Sequence, residues 1–199
     1  ERRIALGSNI LNPPKVTLHL MPSPIGHTLL AFSVTGFQNK SSLPMTGWYL
    51  LILIAGVAPD FDFLPGILIG DPNRFHHGPT HSILAGILFT GFIYFIIKPL
   101  NLRAALLIFL VYLTHVLADG FSADSGAPYG VPLFWPFSPD YLISPIPVFR
   151  NFIHGGAGGG FDHFLGDVFS IHNLWAIAIE ILVLGPILWI SHRVRQRKG

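Results

Sequence analysis

The sequence contains no cysteine and little charge. Only 11% of its 199 residues are Asp, Glu, Lys or Arg and 51% are hydrophobic, whereas ordinary soluble domains carry roughly 25% charged residues. The absence of cysteine excludes disulfides, thiolate metal sites and cysteine nucleophiles. The shortage of charge argues against a water-soluble globule, and a net charge of only +2 gives no indication of a nucleic-acid partner.

Histidine, in contrast, is plentiful, with ten residues. In an apolar chain, ionisable side chains are retained at a cost in free energy, so they are the first candidates for a functional role.

Three apolar stretches predict membrane helices. Residues 79–97 carry no formal charge and, at about 1.5 Å per residue, nearly cross a hydrocarbon core of about 30 Å, so the clearest span is expected there. Residues 104–118 form a second, antiparallel to the first because the short link between them contains a proline. Residues 174–190 form the third. Two shorter apolar stretches predict helices packed against this hairpin, at residues 25–37 and 45–59. The expected fold is an all-α, polytopic membrane helical bundle with about three to five transmembrane or membrane-embedded helices.

The domain prediction follows from these spans. Residues 21–199 are expected to form a single membrane-embedded helical domain, with a long irregular loop over the Gly-, Pro- and aromatic-rich residues 122–173. Residues 1–20 are expected to be an N-terminal extension that is non-native or disordered, because Met21 looks like a natural start. Basic residues gather on the cytoplasmic side of membranes. The basic tail therefore predicts a multi-pass protein of the inner (plasma) membrane with a cytoplasmic C-terminus.

Histidines and carboxylates occur at helix ends that this topology places on one side of the membrane, opposite the basic tail. If the helices alternate in direction, the starts of the first and third helices meet the ends of the second and fourth. Eight candidate ligands lie at these ends: His27, Asp60, Asp62, His76, His77, His81, His115 and Asp119. His115 and Asp119 are four residues apart, so they share one helix face.

This set of side chains favours a metal site. A single histidine on such a helix is more often structural, but independent structural residues have no reason to collect at one depth. Imidazole and carboxylate ligands without thiolate suit Zn²⁺, with Mn²⁺ or Fe²⁺ as alternatives. Eight candidates exceed the needs of one tetrahedral ion, so one to three divalent ions are expected. Outside this set, Glu180 is expected to pair with a polar group across the bundle, and His154 and His163 to be mainly solvated.

Five segments carry a family resemblance. MPSPIGHTLLAF, APDFDFLPG, HHGPTHSIL, THVLADGFS and GVPLFWPFS occur in this order over residues 21–145. Together they resemble the YdjM-type family of inner-membrane metal-dependent hydrolases, some of which are described as under LexA control. The resemblance implies metal ligands at matching positions: His27, Asp60, Asp62, His76, His81, His115 and Asp119. His77 stands where members commonly have Arg, and residues 123–128 look like an insertion.

A more distant and partial similarity links the ordered His and Asp residues to zinc-dependent phospholipase C and P1-type nucleases, which implies phosphodiester chemistry. The expected function is therefore hydrolysis of a phosphoester or acyl ester of a lipid-like substrate by a metal-activated water. Whichever of Asp60 and Asp62 is less engaged by metal is the candidate general base. The alternatives are a metal-ion or proton transporter, whose site would lie near the bilayer midplane, and a metal-stabilised scaffold for a protein partner that the sequence does not identify.

Overall fold

The computed structural model describes residues 20–36, 43–98, 100–122, 128–149, 152–153 and 160–197. Seven α-helices form most of this part of the chain: α1 Pro24–Thr35, α2 Met45–Val57, α3 Phe63–Leu68, α4 Ile83–Ile96, α5 Leu102–Gly120, α6 Gly160–Val168 and α7 Ile171–Gln196. Two short strands pair antiparallel, β1 Leu20–Met21 and β2 Phe152–Ile153. Single 3-10 turns occupy Ala58–Asp62, Pro72–Phe75 and Pro79–His81.

The expected all-α membrane bundle is confirmed. Three helical stretches are long and apolar enough to cross a membrane: Met45–Leu68, Leu102–Gly120 and Ile171–Gln196. A fourth span is possible by length and composition if Pro72–His81 and α4 count together, although the two are bent by 80°. The predicted N-terminal extension, the 123–128 insertion and His154 fall wholly or mostly outside the described residues.

Two expectations about helix boundaries are wrong. The helix predicted over 79–97 begins only at Ile83, because Pro79 starts a separate 3-10 turn and Ser82, in extended conformation, caps α4 by accepting from the Ala85 amide at 3.1 Å. The 14 residues of α4 are therefore about 21 Å long, shorter than the hydrocarbon core. The stretch 122–173, predicted to be irregular, contains β2 and α6.

Helix α5 lies at the centre of the bundle and packs against α1, α2 and α4. Its inner face contributes fully buried residues such as Ile108 and Val111, which belong to the same hydrophobic core cluster as Trp48 and Ile52 of α2. Helices α1 and α2 approach closely because Gly56 has no side chain. A Cβ at that position would lie 3.0 Å from the Cβ of Ala31, so no larger residue fits without displacement.

Helix α7 runs parallel to α1 and makes polar contacts with it near both ends of α1. Near one end, Glu180 of α7 accepts hydrogen bonds from the Ser23 backbone amide at 2.8 Å and from the Ser23 hydroxyl. Near the other end of α1, the Arg195 guanidinium donates to the Val34 carbonyl and, at 3.4 Å, to the Thr35 carbonyl. The prediction that Glu180 pairs with a polar group across the bundle is confirmed.

Packing at the α2–α5 contact gives a testable prediction. Ile52→Ala should lower the free energy of unfolding by about 2 kcal/mol, near the bottom of the range for buried aliphatic truncations. Lipid is as apolar as the bundle interior, so removing the side chain loses little transfer free energy. The expected loss is mainly the free-energy cost of the cavity that the truncation leaves. Unfolding by SDS titration in mixed micelles measures this change. Leu50→Ala, two residues away and 56% exposed, is the control, expected to change stability by less than about 0.5 kcal/mol. Equal losses in both variants would contradict this packing.

Candidate metal centre

The structure brings all seven of the residues predicted as metal ligands into one buried cluster. Asp60 and Asp62 lie on the 3-10 turn that follows α2, and His115 and Asp119 lie in the last turns of α5. His27 lies in the first turn of α1, while His76 and His81 belong to the segment before α4. The cluster therefore forms where two helices end and two others begin, as the alternating topology predicts.

Asp119 is at the centre of the cluster. Its two carboxylate oxygens face three imidazoles: Oδ1 lies 3.3 Å from His27 Nε2, and Oδ2 lies 3.0 Å from His115 Nε2 and 3.4 Å from His81 Nε2. The rings of His27 and His115 stack with their centroids 3.7 Å apart, which directs both Nε2 atoms toward the same carboxylate. All four side chains are fully shielded from solvent.

Asp60 approaches the same imidazoles from the other direction. Its Oδ1 lies 3.3 Å from His115 Nε2 and 3.8 Å from His81 Nε2. Its side chain is 14% exposed, whereas those of the other six predicted ligands are 0 to 5% exposed. Among these seven, Asp60 is therefore the side chain through which the cluster reaches its surroundings.

Hydrogen bonds on the far side of two rings determine which nitrogen faces the cluster. His115 Nδ1 lies 2.9 Å from the Gly56 carbonyl, which can only accept, so Nδ1 carries the proton and Nε2 presents a lone pair. His81 Nδ1 lies 3.2 Å from Asp62 Oδ2, which orients that ring in the same way. Both rings therefore turn an acceptor nitrogen toward Asp60 and Asp119.

Asp62 holds the outer part of the cluster together. Besides His81, it contacts His76 Nδ1 through Oδ1 at 3.1 Å, and its Oδ2 accepts from the Thr80 hydroxyl at 2.9 Å. Such contacts are typical of carboxylates that orient metal-binding histidines from behind. Asp62 also lies close enough to Asp60 and His76 to share an ion with them.

The sequence left His77 unassigned and did not identify the groups that support the cluster. His77 is buried, lies within reach of His76 and His81 as a possible ligand group, and adopts the left-handed backbone conformation with φ of 56°. A non-glycine residue rarely adopts this conformation, which marks the turn as structurally constrained. Tyr112 donates from its hydroxyl to the Thr80 carbonyl at 2.6 Å and fixes the same turn from α5. In the sequence, the only indication of this constrained turn is the pair His76-His77 directly before Gly78-Pro79.

The donor atoms fit a divalent metal ion. Eight buried side-chain atoms of the seven residues lack a hydrogen-bond partner: His27 Nδ1, His76 Nε2, and six atoms that face one another, namely the Nε2 atoms of His27, His81 and His115, Asp60 Oδ1, and both Asp119 oxygens. Their nitrogen-to-oxygen separations of 3.0 to 3.8 Å match the spacing of about 3.4 Å expected for two ligands bonded at about 2.1 Å to one tetrahedral Zn²⁺. Acceptor atoms that face one another without hydrogen bonds are stabilised by a cation between them. These buried groups could therefore bind metal.

The cluster has room for more than one ion. Two groups of three side chains, each with ligand atoms within 4.8 Å of one another, share no member: His27 with Asp60 and His115, and His76 with His77 and His81. Among the described residues of the 122–173 stretch, none belongs to such a group. His163 is exposed on α6, as expected of a solvated residue.

Comparison with models of known protein families gives a match over most of the chain. The family model described as YdjM inner membrane protein matches residues 21–197. No curated protein and no solved structure matches the chain significantly. The similarity to zinc-dependent phospholipase C and P1-type nucleases therefore stays a prediction.

The two kinds of carboxylate in the cluster are distinguishable by substitution. Asp62→Asn should weaken Zn²⁺ binding by about 10- to 100-fold without changing the number of ions bound at saturation, because Asp62 orients histidines. Asp119→Asn should lower the number of ions bound, because both Asp119 oxygens face the imidazoles. Isothermal titration calorimetry of the purified protein with Zn²⁺ measures both quantities. Loss of a bound ion in Asp62→Asn would instead make Asp62 a direct ligand.

Proposed function

The chain belongs to the YdjM inner membrane protein family, and we propose that it is a membrane-embedded, metal-dependent hydrolase. Its proposed substrate is a phosphoester or acyl ester of a lipid-like molecule. The observation that carries this proposal is the convergence of three imidazole nitrogens and two carboxylates without hydrogen-bond partners in an apolar bundle. Histidine and carboxylate ligands of this kind are typical of hydrolytic metal centres.

The metal would be held by the five side chains that face inward, His27, Asp60, His81, His115 and Asp119. Nitrogen and oxygen donors without sulfur favour Zn²⁺, with Mn²⁺ or Fe²⁺ as the alternatives. A second ion would use His76 and His77, which lie in a group separate from His27, Asp60 and His115. When bound, such ions supply positive charge that acidifies water and polarises an ester or phosphoryl oxygen.

Asp60 is also the proposed general base, although it belongs to the ligand set, because only its Oδ1 is buried against the imidazoles while the side chain as a whole is 14% exposed. A general base must reach the water from which it takes a proton, and Asp60 is the most accessible of the seven predicted ligands. Asp62 suits this role less well, since its oxygens contact His76, His81 and Thr80. Its proposed role is to keep the two imidazoles in the orientation that presents Nε2 to the metal.

The position of the cluster favours hydrolysis over transport. A transporter is expected to bind its ion near the bilayer midplane between two points of access. This cluster lies at the end of α5 and the start of α1, and within the apolar stretch Met45–Leu68 it lies beyond the middle, toward Leu68. The C-terminal end of α7 contacts the end of α1 remote from the cluster. Because that end of α7 carries Arg193, Arg195 and Arg197, we place it in the cytoplasm and the cluster on the opposite side.

Metal removal gives the direct test. Protein purified in detergent should contain at least one divalent ion per chain by elemental analysis. It should release product from phospholipid vesicles, or from a nitrophenyl phosphodiester or ester. EDTA should abolish this release and Zn²⁺ should restore it. His115→Ala should lower the rate about 100-fold or more, because His115 lies in both inward-facing ligand groups.

His172→Ala is the matched control, because it removes an exposed histidine of α7 that lies in none of the ligand groups. It should retain both the metal and the activity. Hydrolysis that survives chelation would contradict the proposal. Stoichiometric metal with no turnover on any substrate would instead favour the transporter or the scaffold.

A further inference from the structure

An apolar cavity of about 270 Å³ lies directly beside Asp60. It is formed by the start of α1, the end of α2 with the following turn, strand β2 and helix α6. Four of its nine lining residues are phenylalanines: Phe61, Phe63, Phe152 and Phe164. Of the lining residues within the described part of the chain, Asp60 alone carries a charge.

The charged residue in the cavity lining is also the most accessible of the seven predicted metal ligands. Asp60 Oδ1 is buried against His81 and His115. The exposed part of the Asp60 side chain therefore consists of its other atoms. The same residue lines the cavity. The outer ring of the cluster adjoins the same walls, because Phe63 stacks on His76 at 4.0 Å and contacts Phe164 at 5.4 Å between ring centroids. A molecule in the cavity therefore has one polar contact point, next to the imidazoles.

One wall of the cavity belongs to a candidate membrane span. Phe61 is 49% exposed and lies within Met45–Leu68, a stretch apolar enough to cross a membrane. Walls of phenyl rings and aliphatic side chains offer no hydrogen bonds to a polar ligand, but they favour burial of methylene groups. A chain leaving the bilayer would thus find apolar walls along its length and a polar group at one end.

We propose that this cavity binds a single alkyl or acyl chain of a lipid, with the polar head group at Asp60. The assignment of that lipid as the substrate rests on the proposed hydrolase function. The geometry then defines the substrate class as an amphiphile whose scissile ester lies at the junction of chain and head, because only that end of the cavity meets the metal ligands.

Photolabelling tests the chain site without reference to turnover. The full chain in lipid nanodiscs, kept in EDTA, is irradiated with a long-chain alcohol that carries a diazirine at its far end, and labelled peptides are identified by mass spectrometry. A neutral alcohol needs no metal, since its hydroxyl can donate to Asp60. We expect the label in the described segments that line the cavity, around residues 57–63, 152–153 and 164–168.

Val168→Trp fills the cavity from α6 and should lower labelling there by about tenfold or more. Val194→Trp is the matched control, since Val194 is an exposed helical valine of α7 remote from the cavity, and it should leave labelling unchanged. Equal labelling of Val168→Trp and the wild type would overturn the proposal. So would label spread over the outer faces of α4, α5 and α7.

Competition by unlabelled alcohols of increasing length tests the wild-type chain, so it remains decisive if Val168→Trp fails to fold. Affinity relative to aqueous concentration should rise about fourfold per methylene and then level off when the cavity is full. A rise that continues through the longest alcohol indicates partitioning into the bilayer and overturns the site.

The two proposals fail separately. Label confined to the cavity, without metal-dependent turnover, would support the chain site and remove the hydrolase. If metal-dependent turnover is observed and Val168→Trp changes the rate for neither short nor long esters, the hydrolase proposal stands and the chain site is excluded.

Discussion

The fold depends on compensating the buried carboxylate of Asp119. An ionised carboxylate in an apolar interior is strongly destabilising unless positive charge or hydrogen bonds offset the lost hydration. In this bundle the Nε2 atoms of His27, His81 and His115 lie within 3.4 Å of the two Asp119 oxygens, and those of His81 and His115 face the carboxylate as acceptors. Because none of these contacts is a hydrogen bond, a bound cation completes the arrangement better than the protein alone.

Close helix packing allows these side chains to meet. Gly56 lets α1 approach α2, and its carbonyl orients His115 on α5, so one small residue serves both contacts. Gly26 has a similar role between α1 and α7, since a Cβ there would lie 2.7 Å from the Glu180 carboxylate. That carboxylate fixes Ser23, one turn before His27. Because lipid is itself apolar, the hydrophobic effect contributes little to the association of helices in a membrane. Small residues and polar contacts of this kind therefore determine the distances between the helices.

Much of the cluster could be predicted from the sequence because hairpin connectivity alone brings alternate helix ends together. It places His27, His115 and the residues after α2 on one side without any knowledge of packing. The start of α4 could not be predicted in this way, since residues 79–83 carry no formal charge and so extend the uncharged stretch, while Pro79 and Ser82 break the helix. The outward contacts of Asp62 and the left-handed turn at His77 arise from tertiary contacts, which no periodicity in the sequence encodes.

The attachment of α7 has a consequence for how this helix can move. Little of its surface is buried, since only 11% of its most apolar 18-residue stretch lies inside the protein. Apolar packing alone would therefore not fix the position of α7 along α1. The contacts of Glu180 with Ser23 and of Arg195 with the end of α1 fix this position. A slide of one helical turn, about 5.4 Å, would break both at once and leave the buried Glu180 carboxylate without its hydrogen bonds to Ser23. Helix α7 therefore has one favoured height relative to the metal centre, set by polar groups about four turns apart.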